Sequence, residues 1–310
     1  MAGFVFSGSA MNYFAILLVL IAGAAWAGTG LAAQDFFSKS SLTPMDLTVF
    51  RMVCTGILMG LLTAAERKLG KNIKAIRREP KLILSIVIYG VGGLLAMHYT
   101  YFASIAAGNA AAATVIQYTA PAMVIFWAVI SGRRLPSFME MAAVLLAFGG
   151  TVLLVTGGNT DRLSVPFDCV WLGLLSAFFF AVCMVLPKHL MVKMDNHFLI
   201  AGGMLLGALA AWLMDPVTDF SGFFAEGVRF DVFWIVILGT MVAFICYNAG
   251  LSRLPQIVAS VTTTVEPAIS VIASYFLFHS HFGFWEILGV LMVLAAIAGP
   301  PLSEMGKRKN

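Results

Sequence analysis

The sequence predicts an all-α membrane protein with ten transmembrane helices, arranged as two inverted five-helix repeats around a central cavity. Of its 310 residues, 60% are hydrophobic and only 11% are charged, whereas soluble domains carry about 45–50% apolar and roughly 25% charged residues. Apolar runs long enough to cross the ~30 Å hydrocarbon core of a bilayer recur along the whole chain. In addition, the second half of the sequence repeats scarce residues of the first half at a constant spacing.

Ten apolar runs are the expected transmembrane helices, and short polar segments separate them. The first five lie near residues 12–33, 44–65, 81–105, 109–131 and 136–156, and the second five lie near 166–187, 197–214, 231–251, 257–278 and 283–302. The first run is too long for the apolar region of a secretory signal, and no cationic segment precedes it, so we expect it to be retained. The short connections require each helix to pack beside its neighbour in the chain.

The distribution of Lys and Arg predicts the orientation of these helices. With the N-terminus placed inside, fifteen basic residues lie in inner segments, and only Lys39, Arg162 and Arg229 lie outside. Because cytoplasmic loops carry the excess of basic residues, we expect both termini in the cytoplasm. The basic stretch 67–81 is then a cytoplasmic anchor, and no nucleic-acid partner is expected.

An internal repeat relates residues 12–156 to residues 166–302 and leaves a basic cytoplasmic tail at 303–310. After a shift of 146 residues, eleven positions in an ungapped 53-residue window are identical. The informative matches involve scarce residue types: Gly93 with Gly239, Tyr101 with Tyr247, Pro121 with Pro267, and Glu140 with Glu286. Five helices per repeat is an odd number, so the second copy enters the membrane from the opposite side. Inverted repeats of this kind are typical of alternating-access carriers, with the substrate site at the repeat interface near mid-bilayer.

Several motifs, in this order and spacing, resemble the drug/metabolite transporter superfamily, specifically its ten-helix exporters built from two EamA-type domains. They are AGAAWAGTG with Trp26, Arg51 inside the second helix, YTYFASIAAGNAAAATV with Tyr101 and IQYTAPAMVIFW with Pro121, followed in the second half by YNAGLSRLPQIVASV and VEPAISVI. Within this group the chain looks closest to bacterial aromatic amino acid exporters of the YddG type. The resemblance implies an inner-membrane exporter of amino acids, including aromatic ones, with a cavity lined by helices 1, 3, 4, 6, 8 and 9.

The residues expected to bind substrate are polar or aromatic and lie inside the apolar runs: Trp26, His98, Tyr101, Gln117, Tyr118, Tyr247, Asn248, Thr262, Thr263 and Glu266. Polar side chains at such depth rarely face lipid, and aromatic walls with a few hydrogen-bonding groups suit a small amphipathic ligand. Glu266 is interpreted as a contact for a substrate ammonium group or as a proton-coupling site, with a protonated structural hydrogen-bonder as the alternative. His98 taken alone is more typical of a packing residue.

Two prolines and one buried ion pair are the remaining structural predictions. Pro121 and Pro267 lie near the middle of helices 4 and 9, where each removes a backbone hydrogen bond, and their paired placement favours hinges over simple packing kinks. Arg51 is expected to form a structural ion pair with Glu286, with Asp46 and freed backbone carbonyls as the other candidate partners, or else to contact a substrate carboxylate. Glu140 and Glu286 each open a helix, where a carboxylate suits the positive end of the helix dipole.

The sequence also excludes several function classes. It contains no G-x-x-x-x-G-K-[ST] loop, no H-E-x-x-H and no G-x-S-x-G, so we expect neither an ATP-driven motor nor an enzyme, and no cofactor or metal. The expected partners are a small-molecule substrate and the lipid bilayer, with the monomer as the functional unit. A cationic drug exporter remains an alternative, and the choice between uniport and proton-coupled transport stays open.

Overall fold

The computed structural model describes residues 13–131, 137–159, 163–217, 220–251, 253–254 and 256–307, and all regular secondary structure in these ranges is helical. Eight helices in these ranges are long and apolar enough to cross a bilayer: α1 (Tyr13–Lys39), α2 (Pro44–Ala65), α3 (Lys81–Ala107), α4 (Ala110–Ile130), α5 (Phe138–Thr156), α6 (Phe167–Val185), α7 (Asn196–Met214) and α8 (Arg229–Gly250). The shorter apolar helices follow: α9 consists of Gln256–Thr263 and Val265–Phe278, and α10 is Phe284–Lys307. The chain is therefore a multi-pass helical membrane protein.

Most of the helix boundaries agree with the predicted spans to within a few residues. The clearest difference is at the end of α1, which continues to Lys39 instead of stopping near residue 33. The polar residues there do not end the helix, because Lys39 pairs with Asp35 one turn earlier. The predicted start of the fifth helix at Pro136 and the end of the basic tail lie outside the described residues.

α3 and α8 each contain a π-helical segment, and the shift of 146 residues in the sequence makes the two segments overlap. The two segments are Gly90–Leu95 and Trp234–Val242, and they include the repeat-related Gly93 and Gly239. In α3 the segment packs closely on α7, since a Cβ atom on Gly90 would lie 2.9 Å from the Cα of Gly203. Such segments are rare and occur frequently at functional sites.

α4 and α9 are both interrupted beside their prolines. The first segment of α4 ends at Gln117 and the second starts at Ala120, so Pro121 lies in the first turn of the second segment. In α9 the first segment ends at Thr263, and Pro267 lies in the first turn of the next one. A first-turn proline needs no hydrogen-bonding N–H, so each proline lies at a break between two helical segments.

The helices pack in a regular pattern. α2 contacts α7, α4 contacts α9 and α5 contacts α10, while α1 contacts α8 and α3 contacts α6. α5 and α10 approach each other through glycines: a Cβ atom on Gly150 would lie 2.6 Å from the carbonyl oxygen of Gly289. A larger side chain at this crossing would force the two helices apart.

The segment between α2 and α3 forms a ten-residue helix, Leu69–Arg78, where the sequence predicted a basic loop. Its polar face carries Lys and Arg, while the large apolar side chains of Leu69 and Ile73 are exposed. A cationic amphipathic helix of this type lies at a membrane surface with its apolar side toward the lipid. The anchor function predicted for this stretch is compatible with that geometry.

Candidate functional site

A cavity of about 600 Å³ lies between the helices, a size typical of small-molecule sites. The six helices expected to line it do so, and α2, α5, α7 and α10 also contribute residues. Its aromatic wall residues are Trp26, Tyr89, Tyr101, Tyr118, Phe180, Phe244 and Tyr247. Its polar lining residues are Thr29, Arg51, His98, Gln117, Thr263 and Glu266.

Glu266 contributes a carboxylate to the cavity from the first turn after the break in α9. Its side chain is buried, and the Tyr118 hydroxyl donates a hydrogen bond to one carboxylate oxygen at 2.6 Å. The same hydroxyl lies 3.4 Å from the carbonyl oxygen of Thr263. Tyr118 itself caps the first segment of α4. The two helix breaks therefore meet at this hydrogen-bonded pair.

Arg51 contributes the positive charge of the cavity from α2. Its Nε donates to the Thr240 hydroxyl at 3.4 Å, and its Nη1 lies 3.3 Å from Nδ1 of His98. The guanidinium group also lies over the ring of Phe102, 5.4 Å from the centroid, a cation–π arrangement. All three of these contacts are thus with uncharged groups, and Arg51 is only 6% exposed.

The predicted ion pair between Arg51 and Glu286 does not form. Glu286 lies in the first turn of α10, where its carboxylate accepts a hydrogen bond from the Gly283 backbone N–H. Glu140 has the corresponding position in α5, in a capping box with Ser137. Both carboxylates therefore cap helices, as their positions predicted. Among the described residues, no carboxylate lies within 4.0 Å of the Arg51 guanidinium.

Hydrogen bonds between helices hold the other polar cavity residues in place. The Tyr101 hydroxyl lies 2.8 Å from the Thr114 hydroxyl. Gln117 donates to the Ser176 hydroxyl at 2.7 Å, and this hydroxyl donates to the carbonyl oxygen of Met97 at 3.2 Å. These contacts join α3, α4 and α6 beside the cavity and fix the orientation of the polar groups.

Aromatic rings from α1 and α8 form one wall of the cavity. The Trp26 ring packs edge-on against Phe244, with centroids 5.8 Å apart, and at an oblique angle against Tyr247 at 5.3 Å. Both distances lie in the range of favourable aromatic pairs. This wall offers flat apolar surface to a ligand that also reaches the charged groups.

Three of the predicted site residues lie away from the cavity lining. The Asn248 amide nitrogen lies 3.3 Å from Nε2 of His197, and Thr262 donates to the carbonyl oxygen of Val258 one turn earlier. Thr262 instead lines a shallow groove between α1, α9 and α10, because neighbouring positions on a helix point about 100° apart. Pro267 is buried next to Glu266 and does not line the cavity. The structure therefore does not place Asn248 and Thr262 at the predicted binding site.

The sequence reasoning also missed residues that line the cavity. Phe180 lines the cavity, whereas Phe178, two positions earlier, is exposed on the outer surface. Three consecutive phenylalanines carry no periodic signal that distinguishes these directions. Cys183 and Met184, one turn further along α6, line the cavity as well.

A second charged cluster, which we call the ion network, joins the end of α2 to the start of α7. Lys68 lies 2.7 Å from Glu66 and 3.0 Å from Asp195, and His197 lies 3.3 Å from Glu66. The hydrogen bond from Lys68 lowers the pKa of Glu66. Burial opposes the ionisation of Asp195, but the hydrogen bond and the charge of Lys68 still lower its pKa. These side chains include metal-ligand types, yet the Lys68 ammonium occupies the position between the two carboxylates.

Comparisons with known proteins find a matching family, similar sequences and a similar fold. The profile of the EamA-like transporter family matches residues 13–156 and 168–299. The chain is 29% identical over 291 residues to the uncharacterized inner membrane transporter YicL of Salmonella typhimurium, covering 91% of this chain and 93% of that protein. An uncharacterized transporter of Archaeoglobus fulgidus is 22% identical over 295 residues, covering 93% and 97%. One solved crystal structure has a similar fold, with a TM-score of 0.62 and 17% identity over 97% of this chain and 100% of that chain.

Proposed function

The chain belongs to the EamA-like transporter family, and from this premise we propose that it exports amino acids, including aromatic ones, across a bacterial inner membrane. The placement in an inner membrane draws on the similarity to the Salmonella transporter. Transport would be secondary and would proceed by alternating access. The functional unit would be the monomer, because one chain supplies every wall of the cavity.

One observation carries the choice of substrate: Arg51 and Glu266 line the same cavity, and among the described residues each is hydrogen-bonded only to neutral groups. Buried charges are costly unless they are paired or hydrated. An α-amino acid at neutral pH carries a carboxylate and an ammonium group, which complement these two charges. The aromatic walls then suit an aromatic or large apolar side chain.

The packing pattern supports a pair of inverted five-helix repeats over residues 12–156 and 166–302. If helix n corresponds to helix n+5, a two-fold axis pairs α2 with α7, α4 with α9 and α5 with α10. The same axis exchanges the contact between α1 and α8 with that between α3 and α6. These are the observed neighbours, and the π-helical segments and helix breaks also correspond. In this arrangement all ten helices cross the membrane, and the excess of basic residues in alternate loops favours both termini in the cytoplasm.

The helix breaks at Pro121 and Pro267 are the proposed hinges. Both lie where α4 and α9 meet, and interrupted helices at corresponding positions mark the substrate site in many inverted-repeat transporters. The Tyr118–Glu266 hydrogen bond crosses from one break to the other. Binding of a substrate ammonium at Glu266 would thus act directly on the elements that must bend.

A cationic drug exporter is the alternative. It would use Glu266 and the aromatic walls in the same way, but it would gain nothing from Arg51, whose charge would repel the substrate. The buried arginine in the same cavity therefore favours a zwitterionic substrate over a purely cationic one.

Uptake into liposomes tests the proposal. The purified protein is reconstituted, and entry of labelled phenylalanine is measured against protein-free liposomes, with a matched assay for a cationic dye. We expect saturable phenylalanine uptake that excess tryptophan inhibits. Saturable transport of the dye without any transport of amino acids would instead establish the alternative. Repeating the assay with an imposed pH gradient separates uniport, which ignores the gradient, from proton-coupled transport.

A further inference from the structure

We infer that His98 and Arg51 together form an anion subsite, in which the Nε2–H group of His98 donates a hydrogen bond to the substrate carboxylate. The inference rests on the proposed function and deepens it, because it assigns one end of the substrate to this pair and the other end to Glu266. It also gives His98, one of the residues expected to bind substrate, a specific role in recognising the carboxylate.

The contact with Arg51 determines the tautomer of His98. A guanidinium group has only N–H donors and no acceptor, so at 3.3 Å from Nη1 of Arg51 the Nδ1 atom of His98 must accept. A charged imidazolium has N–H groups at both positions and could not accept there. His98 is therefore neutral, and its single N–H group is at Nε2.

That N–H group has no acceptor within the protein. Nε2 of His98 is buried and has no hydrogen-bond partner among the described residues. A buried donor without a partner costs about 1–3 kcal/mol, so native structures rarely retain one without a reason. Because the His98 side chain lines the cavity, a ligand bound there is the acceptor assigned to this N–H group.

Arg51 adds further donors beside His98. Two of its five N–H groups are directed to Thr240 and His98, which leaves three without an acceptor among the described residues. Thr240 lies in the π-helical segment of α8, and its hydroxyl donates to the carbonyl oxygen of Ile235 at 2.7 Å, so this hydroxyl must accept from Arg51. The protein thereby fixes the guanidinium without neutralising its charge.

A carboxylate is the group that matches these donors. Its two oxygen atoms accept several hydrogen bonds, and its negative charge complements the positive charge of Arg51. A ligand with only an ammonium group has no acceptor for either side chain. The subsite therefore predicts that a decarboxylated amine binds less tightly than the parent amino acid.

Two substitutions of His98 distinguish the role of Nδ1 as an acceptor from the role of Nε2 as a donor. In His98→Asn the amide oxygen can replace Nδ1 as the acceptor for Arg51, but no donor reaches the position of Nε2. The longer side chain in His98→Gln can place an amide N–H near that position. Binding of phenylalanine, 3-phenylpropanoate and phenethylamine is measured on purified wild type and on both variants, with elution volume and thermal unfolding as controls for folding.

We expect His98→Asn to weaken binding of phenylalanine and 3-phenylpropanoate about five- to tenfold and to change phenethylamine binding less than twofold. His98→Gln should recover most of the loss, because it restores a donor. Equal effects on all three compounds, or no effect on any, would overturn the subsite while leaving amino acid transport intact. If wild type binds phenethylamine as tightly as phenylalanine, the subsite is also excluded. Failure of wild type to bind phenylalanine at all would instead refute the proposed function itself.

Discussion

The cavity and the ion network both contain charged side chains from distant parts of the chain, but they balance these charges differently. In the ion network, Lys68 contacts two carboxylates from different segments, and His197 contacts Glu66 as well. In the cavity, Arg51 and Glu266 contact a threonine, a histidine and a tyrosine. The network pairs its cation directly with carboxylates, whereas the cavity keeps its positive and negative groups available.

This difference separates a structural role from a binding role. Exposed ion pairs contribute little free energy, about 0–1 kcal/mol each, but they connect segments and need no ligand. Buried charges without a directly bonded counter-charge are destabilising until something binds to them. The comparison thus predicts large effects on transport from changes in the cavity and only small effects on stability from changes in the network.

The largest expected effect follows removal of the cavity cation. Arg51→Met keeps an unbranched apolar side chain but removes every donor, and hydrogen bonds to charged groups contribute about 1.5–3 kcal/mol. We expect KM for phenylalanine to rise about tenfold or more in the liposome assay. Arg51→Lys is the matched control. Because it keeps the charge, its KM for phenylalanine should lie between the values for wild type and Arg51→Met. An Arg51→Met variant that folds and transports normally would contradict a role in binding.

A somewhat smaller effect is expected at the other end of the substrate. Glu266→Gln removes the negative charge but preserves an acceptor for the Tyr118 hydroxyl, so the local fold should persist. We expect about a tenfold loss in kcat/KM for phenylalanine. Glu66→Gln, the same change in the ion network, should leave kcat/KM within about twofold of wild type. Equal losses in the two variants would remove the distinction between the regions.

Tyr118→Phe sharpens the comparison by testing how Glu266 is held. The change removes one hydroxyl, and the hydrogen bond lost is worth about 1 kcal/mol. We expect KM for phenylalanine to rise about three- to fivefold, with kcat also reduced because the contact spans both helix breaks. Tyr275→Phe on the exposed face of α9 is the matched control and should behave as wild type.

Periodicity and composition predicted the helices well, because a bilayer requires long apolar helices whatever their packing. The breaks in α4 and α9 were also predictable, since Pro121 and Pro267 act locally. The site was predictable only in part. Several predicted residues do line the cavity, among them Trp26, His98, Tyr101 and Glu266. Two others, Asn248 and Thr262, are next to cavity residues in the chain, but their side chains form hydrogen bonds away from the cavity.

The partner of Arg51 could not be derived from the sequence. Nothing local distinguishes Glu286, which caps α10, from a carboxylate that approaches α2 in space. The contacts of Arg51 with His98 and Thr240 join residues 47 and 189 positions apart, and only the tertiary packing creates them. The π-helical segment of α8, which contains Thr240, likewise has no signature in the apolar sequence around it.

The smallest expected effect concerns the ion network and depends on pH. Lys68→Ala removes the cation between Glu66 and Asp195, and we expect a loss of about 1 kcal/mol or less in the free energy of unfolding at pH 7. Folding lowers the pKa of Glu66 from its ordinary value of 4.5 and the pKa of Asp195 from 3.8. The two carboxylates therefore stabilise the folded protein fully above those ordinary values, and this stabilisation is lost as the pH falls through the lowered pKa values. The difference in Tm between wild type and Lys68→Ala should therefore be constant from pH 6 to pH 8 and shrink between pH 5 and pH 3. A difference in Tm that stays constant down to pH 3 would mean that Lys68 stabilises the junction of α2 and α7 through packing of its aliphatic chain rather than through its charge.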